Sequence, residues 1–283
     1  MSSTALVIGA SSGIAQRLIC RLSGDQRIAR IYAVSRSPAE VALPARVSWL
    51  TCDYSEAGIA GTVALLNNEP GEFSRVFICN GMLHEGDSIR PEKRLEEIDL
   101  ASIDAVFRAN TFTPLLWLKH LVGSLRGEQV CTLTLFSARV GSISDNKLGG
   151  WYSYRASKAA LNMLVQTASV EYARRAKNVQ LVAFHPGTTD TALSRPFQGN
   201  VPTGKLFSAD FVAEQLLSIV ENMTPVGHAL YLIGRARKSP GDWNGEANGL
   251  AACRKKLICP AKSVWSAVGL SIGAKSGGAS GRM

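Results

Sequence analysis

Short apolar runs alternate with stretches of helical spacing through residues 1–234. The run "TALVIGA" predicts a first strand that ends at Gly9. "GIAQRLICRLS" follows, with Ile14, Leu18, Ile19 and Leu22 on one side of a helix. "RIYAVSR" and "RVSWLTCDY" predict strands two and three, "GIAGTVALLNN" a helix, and "RVFICNG" a fourth strand that again stops at glycine. Residues 91–125 hold helical periodicity over a long span. Pro91 and Glu92 suit its first turn, and Pro114 marks a kink or junction. "QVCTLTLFSA" predicts strand five, Tyr152 to about Ala176 a second long helix, and "NVQLVAFHPG" strand six. An amphipathic helix opening at Ser208 and the run "HALYLIG" complete the series.

No antiparallel hairpin signal interrupts this alternation. It predicts an α/β fold, with a doubly wound parallel sheet and helices on both faces. In such sheets ligands bind at the carboxyl ends of the strands. The chemistry-bearing residues of this chain cluster at those ends.

Composition changes the picture only after residue 234. Nine basic residues against two acids there account for +7 of the net charge of +9. We therefore divide the chain into a globular domain, 1–234, and a basic Gly/Ser/Ala-rich tail, 235–283, expected to be poorly ordered. The charge belongs to the tail and gives no reason to expect nucleic-acid binding by the globular part. No run reaches the roughly 20 apolar residues of a membrane span, and no basic leader precedes the first strand. The six cysteines form no CxxC pair, which predicts reduced, mostly buried thiols in a cytoplasmic protein. The four histidines show no ligand spacing, so no metal site is expected.

Seven segments carry candidate chemistry. "GASSGIA" (Gly9, Ser11, Ser12, Gly13, Ile14) is a glycine-rich turn from strand one into helix one, fit to meet a pyrophosphate or simply to turn tightly. After strand two come Ser35 and Arg36, where NAD-preferring sites place an acid. A guanidinium suits a 2′-phosphate, which favours NADP(H) over NAD(H). Asp53, after strand three, could bond an adenine amino group or make an Asx turn. Asn80-Gly81 follows strand four and suits close backbone passage beside the adenosine. Asn110 is a polar residue in an apolar helical stretch, either a satisfied core amide or a functional one. Tyr154 and Lys158 lie four apart on one helical face. Alone, they read as an exposed pair; in a site, a nearby cation would favour tyrosinate by about 1–3 pKa units. Finally Pro186-Gly187 ends strand six, followed by Thr188, Thr189 and Thr191.

In this order, each after its own strand, these segments resemble the one-domain form of the short-chain dehydrogenase/reductase superfamily over about residues 4–234. "GSISDNKLGGWYSYRASKAALN" looks like its C-factor-type and carbonyl-reductase-like branch. The resemblance implies a Rossmann-type sheet of seven strands and hydride transfer between NAD(P)(H) and a small carbonyl or alcohol. It implies Tyr154 as proton donor or acceptor, and Lys158 lowering its pKa and bonding the nicotinamide ribose. Asn110 would support a proton relay, and a serine after strand five would polarise the substrate oxygen. That serine falls on Ala138, so the role passes to Ser137, or to Ser142 reaching in, or is missing. The third glycine of the motif is Ala15, and the adenosine-side "N-N-A-G" is reduced to "C-N-G". The family also implies pairing into homodimers or homotetramers, and it usually ends soon after strand seven. The substrate pocket is expected from the loop 191–205, with Arg195, Phe197 and Phe207 as candidates. The competing reading is a dinucleotide-binding signalling or regulatory protein with little turnover.

Overall fold

The strand Ser3–Ile8 (β1) is buried along its whole length, so both of its faces must be covered. Side chains alternate across a strand, and here the alternation feeds two cores. Ala5 and Val7 enter one, Leu6 and Ile8 the other. In the computed structural model residues 3–234 are described, apart from Val41 and Pro70. The tail, with Cys253 and Cys259, lies outside the described residues.

After β1 come α1 (Gly13–Gly24), β2 (Ile28–Ser35), β3 (Val47–Thr51), α2 (Glu56–Asn67) and β4 (Phe73–Ile78). Then follow α3 (Leu100–Phe107), α4 (Thr113–Ser124), β5 (Cys131–Phe136), α5 (Tyr152–Arg175) and β6 (Val179–His185). The chain continues through β7 (Thr188–Asp190), β8 (Leu206–Ser208), α6 (Ala209–Val220) and β9 (Leu230–Ile233). The main sheet has seven parallel strands in the order β3-β2-β1-β4-β5-β6-β9. Residues of α1 and α6 (Leu18, Leu22, Val212, Leu216) cover one face. Residues of α2, α4 and α5 (Ile59, Trp117, Leu121, Leu161, Val165) cover the other. The Rossmann-type doubly wound sheet is therefore borne out, strand for strand. None of the described helices is long and apolar enough to cross a membrane.

The long periodic span 91–125 is where the sequence reading needs correction. Pro91 and Glu92 do not begin a helix; α3 starts at Leu100, where Asp99 accepts the Ser102 N–H at 2.8 Å. Glu92 is instead buried and bonded to Ser153 at the start of α5. Between α3 and α4, Arg108–Phe112 widens into a π-helical turn. Pro114 lies in the first turn of α4 and has no N–H to return to Asn110, four residues back. The widened turn absorbs that missing bond. Two further features carry no sequence signal of their own. β7 and β8 pair as a small separate parallel sheet, and Cys20 is exposed on the outside of α1.

Tyr172 ties α5 to α4, its buried hydroxyl donating to Leu118 O at 2.6 Å. Tyr172→Phe removes that bond without changing the packed volume. It should destabilise the fold by about 1–2 kcal/mol in denaturant titrations, with an unchanged m-value.

Candidate active site

The strand order reverses between β1 and β4, and the loops leaving these two strands touch. Gly9 sits at φ +77°, and a β-carbon there would lie 3.0 Å from the Cys79 carbonyl carbon and 3.1 Å from Asn80 N. Only glycine fits that approach. Beyond it, Ser12 caps α1 without a side-chain bond, and the first turn holds no acid. The N–H groups opening α1 are thus left uncapped, beside exposed Ser11 and half-buried Ile14. Gly13 faces Thr191, whose methyl would meet an added β-carbon at 3.4 Å. Asn80 Oδ1 is buried with no partner among the described residues. A narrow glycine cradle, an uncapped helix N-terminus and an orphaned amide oxygen at the sheet reversal together fit a dinucleotide.

On the adenosine side, Ser35 is buried and Arg36 exposed, with no ion pair to Arg36 among the described residues. Asp53 resolves toward the turn reading. Its Oδ1 accepts the Ser55 N–H at 2.9 Å and the Ser55 hydroxyl at 2.8 Å, which hold its carboxyl below the usual range. Ser55 in turn caps α2 by accepting the Gly58 N–H. The residue missed by the sequence reading is Tyr54. It takes a left-handed backbone at φ +63° and passes under the glycine turn. Its Oη accepts the Gly9 N–H at 3.1 Å and donates to Val34 O at 3.2 Å. Its ring meets Trp117 edge-on, and burial pushes its pKa up to about 12. Nothing around "CDYS" announces a partner 45 residues away.

At the centre, Lys158 is 2% exposed. Its Nζ donates to Phe136 O at 2.8 Å and stands 5.9 Å from the Tyr154 ring centroid. Gly81 leaves this space open; a β-carbon there would approach Asn110 Oδ1 at 3.6 Å and Lys158 Nζ at 3.8 Å. Asn110 is fully buried. Its Oδ1 accepts the Met82 N–H at 2.7 Å, and its Nδ2 donates to Met82 O at 2.8 Å and Ser157 Oγ at 3.0 Å. It is a satisfied core amide, and it clamps the loop after β4 to α5.

Two expectations change here. Burial pushes Tyr154 up to about 12 and Lys158 down to about 7. The anticipated lowering of the tyrosine by the lysine is not what this arrangement gives. A poorly solvated site disfavours phenolate and ammonium alike, and the ammonium is engaged by Phe136 O. Ser137 is also engaged: its hydroxyl donates to Asn162 Oδ1 at 2.6 Å, tying β5 to α5 one turn beyond Lys158. Ser142 lines a cavity of about 260 Å³ with Tyr152, Arg155 and Ala159, on another flank of α5 from Tyr154 and Lys158. Among the described residues, neither serine is hydrogen-bonded to Tyr154.

On the substrate side, Pro186 is half-buried and Gly187 takes φ +80°. A β-carbon on Gly187 would lie 2.7 Å from the Phe207 ring, so Phe207 packs there and against Phe211, not into the loop's mouth. Thr189 is buried in β7, and Arg195 is exposed. Phe197 instead reaches Trp151, with ring centroids 5.2 Å apart. Trp151 in turn meets Tyr154 at 6.2 Å.

The buried lysine has a stability consequence. Its folded pKa is lowered, so the unfolded chain binds more protons between about pH 7 and 10.5. The penalty for burying the ammonium is full below pH 7 and fades as pH rises. Lys158→Met should therefore raise Tm by a few degrees at pH 6, on the order of 1–2 kcal/mol, and by less at pH 9. Thermal melts of the cofactor-free protein at the two pH values check this.

Comparison with known proteins agrees with this geometry. Residues 3–201 match the model of the short chain dehydrogenase family. A 1-hydroxy-2-glutathionyl-2-methyl-3-butene dehydrogenase from Rhodococcus sp. (strain AD45) is 29% identical over 228 residues, covering 79% of this chain and 92% of the relative. The C-signal protein of Myxococcus xanthus is 33% identical over 102 residues, 36% of this chain and 60% of that protein. The fold also matches an NADPH-bound carbonyl reductase from chicken fatty liver, with a TM-score of 0.66 at 20% identity, over 82% of this chain and 96% of that one. By the match of residues 3–201 and by these relatives, this chain belongs to the short-chain dehydrogenase family and is an NAD(P)-dependent oxidoreductase.

Proposed function

We propose that the chain transfers hydride between NADP(H) and a small carbonyl or alcohol, with Tyr154 as its acid and base. The observation that carries this reading is the buried Lys158 one helical turn from Tyr154, beside the gap left by Gly81. Gly9, Ser11, Ser12, Gly13 and Ile14 would hold the pyrophosphate. Ser35 and Arg36 would hold the 2′-phosphate; Asn80, Gly81 and the second carboxylate oxygen of Asp53, its first being held by Ser55, would hold the adenosine. Pro186, Gly187 and Thr189 would flank the nicotinamide. When bound, the cofactor supplies the hydride that reduces the carbonyl carbon. Tyr154 Oη donates its proton to the carbonyl oxygen as the C=O π bond opens, leaving an alcohol. Lys158, drawn from Phe136 O, would bond the ribose and favour the transient phenolate. Asn110 would keep the loop after β4 and α5 in register for proton return. With Ala138 in place of a hydroxyl, and Ser137 bonded to Asn162, Tyr154 holds the substrate oxygen alone. That arrangement is expected to turn over slowly, since one missing donor costs about 10²–10³ in rate.

The exposed Arg36, with no acid at the end of β2, supports NADP(H) over NAD(H), as does the NADPH bound by the chicken enzyme. Exposed Phe112, in the turn before α4, and exposed Met163 and Val170 on α5 support pairing of copies through this side of the fold. A second reading, a dinucleotide-binding signalling protein, is favoured by Ala138 and by the likeness to the C-signal protein. NADPH binding with no oxidation across a panel of aldehydes, ketones and quinones would favour it.

Two variants test the primary reading. Tyr154→Phe should lower kcat by about 10²–10⁴ while the NADPH Kd changes less than twofold, measured by fluorescence titration. Arg36→Ala should raise the NADPH Kd about tenfold and leave the NADH Kd in place; unchanged NADPH affinity would remove the coenzyme assignment.

A further inference from the structure

The segment entering α5 is strained. Gly149, Gly150 and Trp151 take φ of +65°, +64° and +54° in succession. Glycines accept this conformation readily; a tryptophan does so only when its surroundings hold it. The holder is Glu92. Its carbonyl accepts the Trp151 N–H, and its carboxylate accepts the Ser153 hydroxyl and, at 3.2 Å, the Ser153 N–H. Glu92 is 3% exposed, and its charge lies at the N-terminus of a 24-residue helix, where it is favoured. Arg155 braces the same turn by donating to Gly150 O at 2.8 Å.

This strain sets the direction of one ring. Trp151 meets Tyr154 at 6.2 Å and 76°, and Phe197 at 5.2 Å and 63°. Phe197 then meets His84 at 5.6 Å and 69°. His84 Nε2 lies 3.2 Å from Ala192 O, joining the loop after β4 to the loop after β7. Three loops from separate strand ends thus gather Trp151, Phe197 and His84 into one run of ring contacts that begins at Tyr154. All four rings are half-buried. The nearby ions are already engaged, Arg155 by Gly150 and Glu92 by Ser153, while Arg195 is exposed.

We propose that Trp151, Phe197 and His84 form an aromatic wall that selects a carbonyl with a flat aromatic ring within one carbon of the reacting C=O. Glu92 is the positioning residue that holds Trp151 in the wall. Aromatic rings pack edge-to-face or offset-stacked against an aryl group, which favours it over a saturated ring of equal size. The inference rests on the reading of Tyr154 as the proton donor, since it fixes where the carbonyl sits.

The test compares 1-phenyl-2-propanone with 1-cyclohexyl-2-propanone, using the full chain and NADPH. The ring stands one carbon from the carbonyl in both, so their reactivities are matched. The phenyl ketone should be favoured about tenfold in kcat/KM, mainly through KM. Phe197→Leu and Trp151→Leu should each reduce the preference to about twofold. Glu92→Ala should do the same, and Glu92→Gln should restore part of it. Phe197 lies in a half-exposed loop, so its variant decides the matter if Trp151→Leu does not fold. Equal kcat/KM for both ketones, or a preference that survives in Phe197→Leu, overturns the wall and leaves the proposed reaction standing. Failure to turn over any aldehyde, ketone or quinone overturns the proposed reaction and the wall together.

Discussion

The site depends on one close approach, the backbone of Gly9 against the backbone of Cys79 and Asn80. In a parallel sheet, successive crossovers carry the chain to one side until the order reverses. Here that reversal lies between β1 and β4. The two loops must then part around a ligand or pack on each other. Gly9 lets them do both, with backbone contact below and the uncapped start of α1 above. Tyr54 fixes the floor of this junction by bonding Gly9 and Val34 together and resting on Trp117. A side chain at Gly9 would push β4's loop outward, and with it Gly81 and the Met82 backbone that Asn110 holds.

What was legible in the sequence follows from range. Buried strands write themselves as apolar runs, because both faces are covered and neighbours in the chain share that environment. Tyr154 and Lys158 were legible because one helical turn is a local relation. Asn110 was visible as an anomaly, a polar residue in an apolar stretch. Its partners, Met82 and Ser157, were not, since they lie 28 and 47 residues away. The same limit explains the errors. Glu92 beside Pro91 looks like a helix start, but its carboxylate is claimed by Ser153, 61 residues on. Ser137 looks available until Asn162 is found against it. Trp151 carries no local mark of a left-handed backbone, a conformation that only long-range contacts can hold on such a side chain.

The buried ammonium of Lys158 shows why the central residues work against the fold. A lysine beside apolar strands is destabilising, and one carbonyl, Phe136 O, compensates it in part. A stability-selected sequence would place methionine there. The proposed reaction would use it: an ammonium in a poorly solvated cleft would meet the charge that appears during reaction through a medium that weakens its field little. The raised tyrosine and lowered lysine are two expressions of one medium, each charge disfavoured until the other forms. A negative charge on Tyr154 Oη and a positive charge on Lys158 Nζ would stabilise each other. The structural requirement is that water stays out and the two groups stay close. The Asn110 clamp and the Glu92 brace serve that requirement, by fixing α5 to the loop after β4 on one side and to the strained turn before Tyr152 on the other.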